Sequence, residues 1–412
     1  MLERTGSAVI AASLLFSAGG VRADAVIDWN AIMETTVLEV DPYVQTRTSA
    51  ITQLAVFEAV NAIVGDYEPY LGTVTAPPGA SPEAAVITAA HEALKALHPE
   101  SAANLDSMRA ASLAAVLDGP AKNDGIAVGE AAAAAILALR ANDGSDDEAP
   151  YVPGSRPGDW RPTPPGFDAA WRPQLGKIVT FVIESGDQFR LDPPPALRSA
   201  RYARDYNEVK QLGDINSTVR PQHRTDVARL YAASDTIEVY HAAARQVAAA
   251  EGTSLAENAR AFALLSIATF DAAVAVFDSK YHYDYWRPVT AIRAADQDDN
   301  RRTAPDPEWT PLIDTPPFPS YPSGHGGLGA AGRRVLEDAF GAKGHSITLS
   351  NPEVPGVVLH YTSWKQITDD IDEARVFGGI HYRFDQESAA RQGRRVGSYV
   401  LRHRLRPVRG RD

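Results

Sequence analysis

With 412 residues, 44% hydrophobic and 22% charged side chains and a formal net charge of −12, the chain has the make-up of a folded globular protein of one large or two modest domains. The acidic balance argues against nucleic acid or an anionic membrane surface as partner, since both attract basic surfaces. The lack of cysteine excludes disulfides and Cys-ligated zinc, and three methionines leave little sulfur for an oxidising product to attack.

At the N-terminus, Arg4 precedes an apolar run from Ala8 to Ala18, and Ala23-Asp24-Ala25 offers a small-x-small cleavage site. Residues 1–25 are therefore expected to be a signal peptide and the mature protein to be secreted or periplasmic, although Glu3 weakens the basic region. Beyond it, no stretch approaches the ~18 uncharged apolar residues of a membrane span. The longest, 261–270, is closed by Asp271. Apolar residues at three- and four-residue spacing predict helices over 44–64, 81–97, 101–117 and 121–142, forming a first bundle within 26–142. The stretch 143–196 is dense in Pro, Gly and Asp and is expected to cross as an extended connection. Helical patterning resumes at 197–212, 223–250, 254–280, 324–341, 364–374 and 386–404, a second bundle within 197–412. Alternating Val-, Ile- and Thr-rich stretches are nearly absent. The expected fold is all-α: two helical bundles with a Pro-rich crossing segment between them.

The tripeptide Trp-Arg-Pro occurs three times, at 160–162, 171–173 and 286–288. The first two copies lie in the crossing segment, where Arg before Pro is held extended and Trp can pin the loop to a helix. The third differs in having Lys280 seven residues before Arg287. On a continuous helix these two cations would share nearly one face, repelling each other unless an anion or a carboxylate such as Asp278 or Asp284 sits between them. A second block, Pro322-Ser323-Gly324-His325, precedes a helical pattern with Ser323 as N-cap. A helix start built of Ser and Gly presents free N–H groups and a positive dipole end to an anion, with His325 beside it. In a third block Arg375 is followed by Gly378-Gly379, His381 and Asp385. A helix starting near Ile380 would set His381 and Asp385 on one face, so that the carboxylate fixes the imidazole tautomer. Arg383 is a rival partner for Asp385. His282 and Tyr283, close in sequence, are expected to pack rather than react.

Lys-x6-Arg-Pro, Pro-Ser-Gly-His and Arg-x5-His-x3-Asp, in that order at 280–288, 322–325 and 375–385, resemble the signature shared by vanadium-dependent haloperoxidases and type 2 phosphatidic acid phosphatases. The crossing-segment stretch 151–167 is also similar to that of the secreted bacterial haloperoxidase-like branch, and Ala374 stands where a Ser usually precedes the third-block Arg. The resemblance implies that Lys280, Arg287, Ser323, Gly324 and Arg375 hold the oxygens of bound vanadate, or of phosphate in the same place. It implies His381 as the vanadium ligand, or as the nucleophile toward phosphorus, with Asp385 orienting it. His325 would be the acid/base group, and Lys280 would also polarise peroxide. Hydrogen peroxide, halide and a small organic acceptor are the implied partners of a haloperoxidase; a phosphomonoester is that of a soluble acid phosphatase. Phe318 falls where chloride-using members carry an aromatic ring, and Phe277 offers a second apolar wall. The doubled helical architecture favours the haloperoxidase. A non-catalytic oxyanion-binding protein is a further alternative, against which His325 and the His381–Asp385 pair argue. Homodimerisation stays open.

Overall fold

The computed structural model describes residues 24–408. The proposed signal segment lies outside them except for Asp24 and Ala25. Five helices open the chain: α1 (Ala25–Val37), α2 (Pro42–Val64), α3 (Pro82–Leu97), α4 (Ala102–Ala114) and α5 (Pro120–Arg140). The first was not expected from periodicity. Asp24 caps it by accepting from Val26 N at 2.8 Å, and its other oxygen accepts from Asn258 Nδ2 at 2.5 Å. Capping signals set the other starts: Asp41 and Ser81 cap α2 and α3, each followed by Pro in the first turn.

Then come α6 (Ala200–Leu212), α7 (Gln222–Ala233), α8 (Thr236–Glu251), α9 (Leu255–Tyr283), α10 (Pro288–Arg293), α11 (Gly324–Phe340), α12 (Trp364–Phe377) and α13 (Arg383–His403). The single helix expected over 223–250 is two, because the chain turns extended at Ser234 and Asp235. Between α11 and α12 stands an antiparallel hairpin of β1 (Lys343–Ser350) and β2 (Val358–Ser363), pairing Ile347 with Tyr361 and Leu349 with Leu359. Its alternation, with His345, Ile347 and Leu349 buried, is the period-two pattern that the search for helices passed over.

The helix α9 is the axle of the molecule. It packs on α2 in the first bundle and on α11 and α13 in the second, so one apolar core runs through both. By length and composition it is apolar enough to cross a membrane, yet 94% of its most apolar window is buried inside the protein. It does not stop at Asp271. That carboxylate, fully buried, accepts from the backbone N–H groups of Phe181, Val182 and Ile183 at 2.7, 2.8 and 3.0 Å, tying the crossing segment to the helix. Except for one turn of 3₁₀ helix at Leu175–Lys177, 143–196 is irregular, as its Pro and Gly content predicts.

Both early Trp-Arg-Pro copies are structural: the first braces the third, and the second ties the loop before α11 to the start of α2. Trp160 N donates to Asp284 O at 2.7 Å and Trp286 N to Gly158 O at 2.9 Å, so the first copy runs antiparallel beside the third. Trp171 N donates to Pro317 O at 2.8 Å, while its indole N–H and the Arg172 guanidinium both hold Asp41 at the start of α2.

Candidate active site

The ends of four elements meet at one point: the C-termini of α9 and α12 and the N-termini of α11 and α13. Asp284, in the left-handed region at φ 51°, caps α9 through its N–H to Lys280 O at 2.9 Å. Lys280 thus occupies the last turn, but Arg287 lies beyond the helix in extended backbone, with Pro288 opening α10 rather than closing α9. The shared helix face expected for the two cations does not exist. A loop joins them instead. Lys280 Nζ donates to Pro319 O and Ser320 O at 2.8 and 2.9 Å, and Arg287 Nε donates to Phe318 O at 2.8 Å. Both cations lie over the Phe318 ring, at 5.0 and 4.8 Å from its centroid.

Ser323 is the N-cap of α11 as expected, accepting from Gly326 N at 3.3 Å. A Cβ added to Gly324 would meet nothing within 4 Å, so the backbone there faces open space. His325 stands in the first turn beside it, half-buried. Arg375, in the last turn of α12, donates through Nη1 to Tyr231 O at 3.0 Å. The break after it depends on Gly379: at φ 82° a Cβ would fall 2.5 Å from Gly213 O. His381 follows in the link before α13, whose first turn carries Asp385.

The His381–Asp385 pair forms, though not by helical spacing, since His381 precedes the helix. His381 Nδ1 donates to Asp385 Oδ2 at 2.7 Å, which leaves Nε2 as the acceptor, 3.1 Å from Arg287 Nη1. Tyr382 N also donates to Oδ2, at 3.2 Å. Arg383 does not compete; it pairs with Glu208 and Glu373 at 2.6 and 2.5 Å. His282 is exposed and edges against Tyr283, outside the cluster.

Spacing did not point to three further contributors. Ser320 is fully buried and its hydroxyl donates to Asp385 Oδ2 at 2.6 Å while its carbonyl receives Lys280. Ser320 lies only three residues before Ser323, but nothing in the motif marks it. Asp235 holds its carboxyl against Gln45 Nε2 at 2.9 Å and is the carboxylate that favours the charge of Arg375. Trp171 closes a triangle with Phe277 and Phe318, centroids 5.3 and 5.6 Å away, above the two cations.

Charge is the governing feature. Lys280, Arg287 and Arg375 are buried, and among the described residues none forms an ion pair. Burial and mutual repulsion depress Lys280 well below its ordinary range, and burial lowers Arg287 to about 9 and Arg375 to about 10. The same burial and the three cations push His381 and His325 well down, so both are neutral. Asp385 is raised to about 7 by burial, against the pull of Ser320 and Lys280. Arg287 Nη2 and Arg375 Nε are buried donors with no protein partner. Orphaned donors of this kind carry the full cost of desolvation. A tetrahedral oxyanion in the open space at Gly324 fits them: it supplies acceptor oxygens for the orphaned donors and negative charge beyond that of Asp385 and Asp235.

Known proteins resemble the chain in sequence and in fold. Residues 260–410 match the family described as the VCPO second helical-bundle domain. Vanadium chloroperoxidase of Curvularia inaequalis is 25% identical over 286 residues, covering 53% of this chain and 46% of that protein. The chain thus spans about half the length of this curated relative. Among solved structures, the first bacterial vanadium-dependent iodoperoxidase superposes with a TM-score of 0.79 at 27% identity, over 94% of this chain and 97% of that one. A holo-type bacterial vanadium-dependent chloroperoxidase superposes at 0.72 with 17% identity, over 89% and 93% of the two chains, a likeness of fold. The chain as a whole therefore has the helical vanadium-haloperoxidase fold. Residues 260–410, the larger part of its second bundle, are similar to the VCPO second helical-bundle domain.

Proposed function

We propose that the protein is a vanadium-dependent haloperoxidase that oxidises halide with hydrogen peroxide to hypohalous acid, which then meets a small organic acceptor. The observation that carries this reading is the buried, unpaired cation cage around a neutral His381 whose Nδ1–H is fixed by Asp385. Support comes also from the iodoperoxidase and the chloroperoxidase named among its relatives. In this reading Arg287, Arg375, Lys280, Ser323 and the N–H groups at Gly324 would hold vanadate oxygens, and His381 Nε2 would be the protein's ligand to vanadium. Vanadate, when bound, supplies a Lewis-acidic centre that makes peroxide electrophilic enough for halide to attack. His325, held neutral by burial and its cationic neighbours, is free to accept a proton from incoming peroxide. Lys280 aims its ammonium at the same pocket. Trp171, Phe277 and Phe318 wall it with aromatic carbon, which thins the water around an approaching halide.

The test is halogenation of a phenol indicator by purified protein with peroxide and iodide, bromide or chloride, before and after orthovanadate, with hydrolysis of p-nitrophenyl phosphate followed in parallel. Turnover that requires orthovanadate and falls at least a hundredfold in His381→Ala is expected. Phosphate release inhibited by vanadate, without halogenation, would make the protein a phosphatase using His381 as nucleophile. Tight orthovanadate binding with neither activity would make it an oxyanion-binding protein.

Export to the periplasm or beyond is proposed on the basic and apolar pattern of the first 25 residues. N-terminal sequencing of protein recovered from the medium or periplasm checks it. A cut after Ala25 is expected from the small-x-small site; a mature chain that began at Asp24 would instead keep the cap of α1 and its bond to Asn258.

A further inference from the structure

A second concentration of positive charge lies away from the cage. Between Ser388 and Arg411 the sequence holds eight arginines and no acidic residue, in a chain of net charge −12. Four of them, Arg391, Arg394, Arg395 and Arg402, project with Ser398 from one face of α13, within an arc of about 100°. The opposite face buries Gln392, Val396 and Val400 in the core, so the exposed face cannot rotate away. Arg334 of α11 faces the same place, and Phe189 of the crossing segment forms its apolar wall. Together they line a cavity of about 490 Å³, and Arg391 and Arg395 also line an adjoining one of about 320 Å³.

These guanidinium groups are not spent on internal pairing. Among the described residues, Arg391, Arg394, Arg395 and Arg402 form no ion pair; Arg391 donates to Ser388 Oγ at 3.1 Å, and Arg334 reaches Asp338 at 3.6 Å. Like charges three and four residues apart on a helix repel, and the carboxylates nearby, Asp192 in the adjoining cavity, Asp338 beside Arg334 and Asp372 near Arg394, are fewer than the five cations. Five forked donors turned into one concavity suit planar oxyanion groups.

We infer that this cleft between α13, α11 and the crossing segment binds a small multivalent oxyanion, one carrying two or more closely spaced phosphate or carboxylate groups. Its volume lies in the range of small-molecule sites, roughly 300–1,000 Å³. The net negative charge of the whole protein opposes the approach of large polyanions, whereas a small ion feels chiefly the local field. Phe189 admits an apolar body behind the charged groups. This site is independent of the oxyanion cage and of the activity proposed for it.

The experiment is titration calorimetry of the full chain, its cage first saturated with orthovanadate, against sodium tripolyphosphate and against citrate. One saturable site is expected, with affinity that falls as salt rises. The double variant Arg394→Gln/Arg402→Gln should weaken it at least tenfold, and Arg394→Lys/Arg402→Lys should recover part of the loss. Tighter tripolyphosphate than citrate identifies the natural ligand as phosphate-bearing; the reverse identifies a polycarboxylate. Arg287→Gln, which disables the cage, should leave the binding unchanged. Loss of binding in Arg287→Gln with none in the double variant would overturn the inference, as would an absence of saturable binding. Adsorption to phosphatidylglycerol vesicles without binding of either small anion would overturn it too, by making the face a membrane contact.

Discussion

At the site, each side chain is defined by what it cannot reach. Arg287 and Arg375 depress Lys280, Arg375 depresses Arg287, and the carboxylate that favours the charge of Lys280 and Arg287, Asp385, is itself raised by burial. Ser320 stabilises that carboxylate as an anion with a 2.6 Å hydrogen bond while its carbonyl anchors Lys280. Ser320→Ala should therefore weaken orthovanadate binding by roughly tenfold or more, since a hydrogen bond to a charged group contributes about 1.5–3 kcal/mol. Calorimetric titration of the variant checks this, with circular dichroism to confirm the fold. Unaltered affinity would mean that Tyr382 N–H and His381 alone suffice to hold Asp385. Of the site residues, Lys280, Arg287, Ser323, Gly324, His325, Arg375, His381 and Asp385 were all legible as motif positions, and the structure brings them together. Ser320, Asp235 and Trp171 were not, because a hydroxyl, a carboxylate or an indole acquires its role from a neighbour distant in the chain.

At the level of elements, the site is made by how helices stop and start. Gly379 turns the chain between α12 and α13 at a positive φ with Gly213 O beside it. Gly379→Ala adds both backbone strain and a collision, so a loss of at least ~2 kcal/mol in unfolding free energy and a loosened His381 are expected. Denaturant unfolding and orthovanadate affinity measure the two effects. The second Trp-Arg-Pro copy works as a clamp: Asp41 at the start of α2 holds Trp171 and Arg172, and Trp171 closes the aromatic wall. Trp171→Ala should raise the KM for halide about two- to tenfold, the range of an aromatic contact, while orthovanadate affinity stays within about twofold. Equal loss in both would show that the clamp supports the whole cage.

His241 on α8 joins three helices, accepting from Asn30 Nδ2 at 2.8 Å and lying 3.3 Å from Ser266 Oγ. Burial, with the Arg245 charge, lowers it to about 3. The unfolded chain, titrating near the ordinary histidine value of about 6.5, binds the proton that the folded one refuses. Stability should thus fall as pH drops from about 6.5 toward 3, by up to ~1.4 kcal/mol per pH unit from this group. In His241→Gln that part of the slope should vanish from urea unfolding measured across the window, whatever the exchange itself costs at neutral pH.

For the molecule as a whole, the cage lies where α9, α11, α12 and α13 converge, so an anion bound there would link the parts of the second bundle. A ligand bound only by the folded state stabilises by mass action, about 2.7 kcal/mol at a hundred times its Kd. Orthovanadate, and more weakly phosphate, should raise Tm by a few degrees in wild type and by much less in Arg287→Gln. Equal shifts in both proteins would place the bound anion elsewhere.

The sequence by itself determined the helical class, most helix positions, the irregular crossing segment and which motif residues make up the candidate site. These follow from local rules: 3.6-residue periodicity, Pro and Gly punctuation, Ser at an N-cap, and motif spacing. Only the tertiary structure decided that Lys280 and Arg287 meet across a loop rather than along a helix, and that His381 precedes the helix that carries Asp385. It also revealed the break at Asp235, the short hairpin, the use of the first Trp-Arg-Pro copy as a brace for the third, and that of the second as a clamp on Asp41. The reason is physical: spacing along a chain fixes which residues share a helix face, but the partner of a buried charge is chosen by packing among segments a hundred or more residues apart.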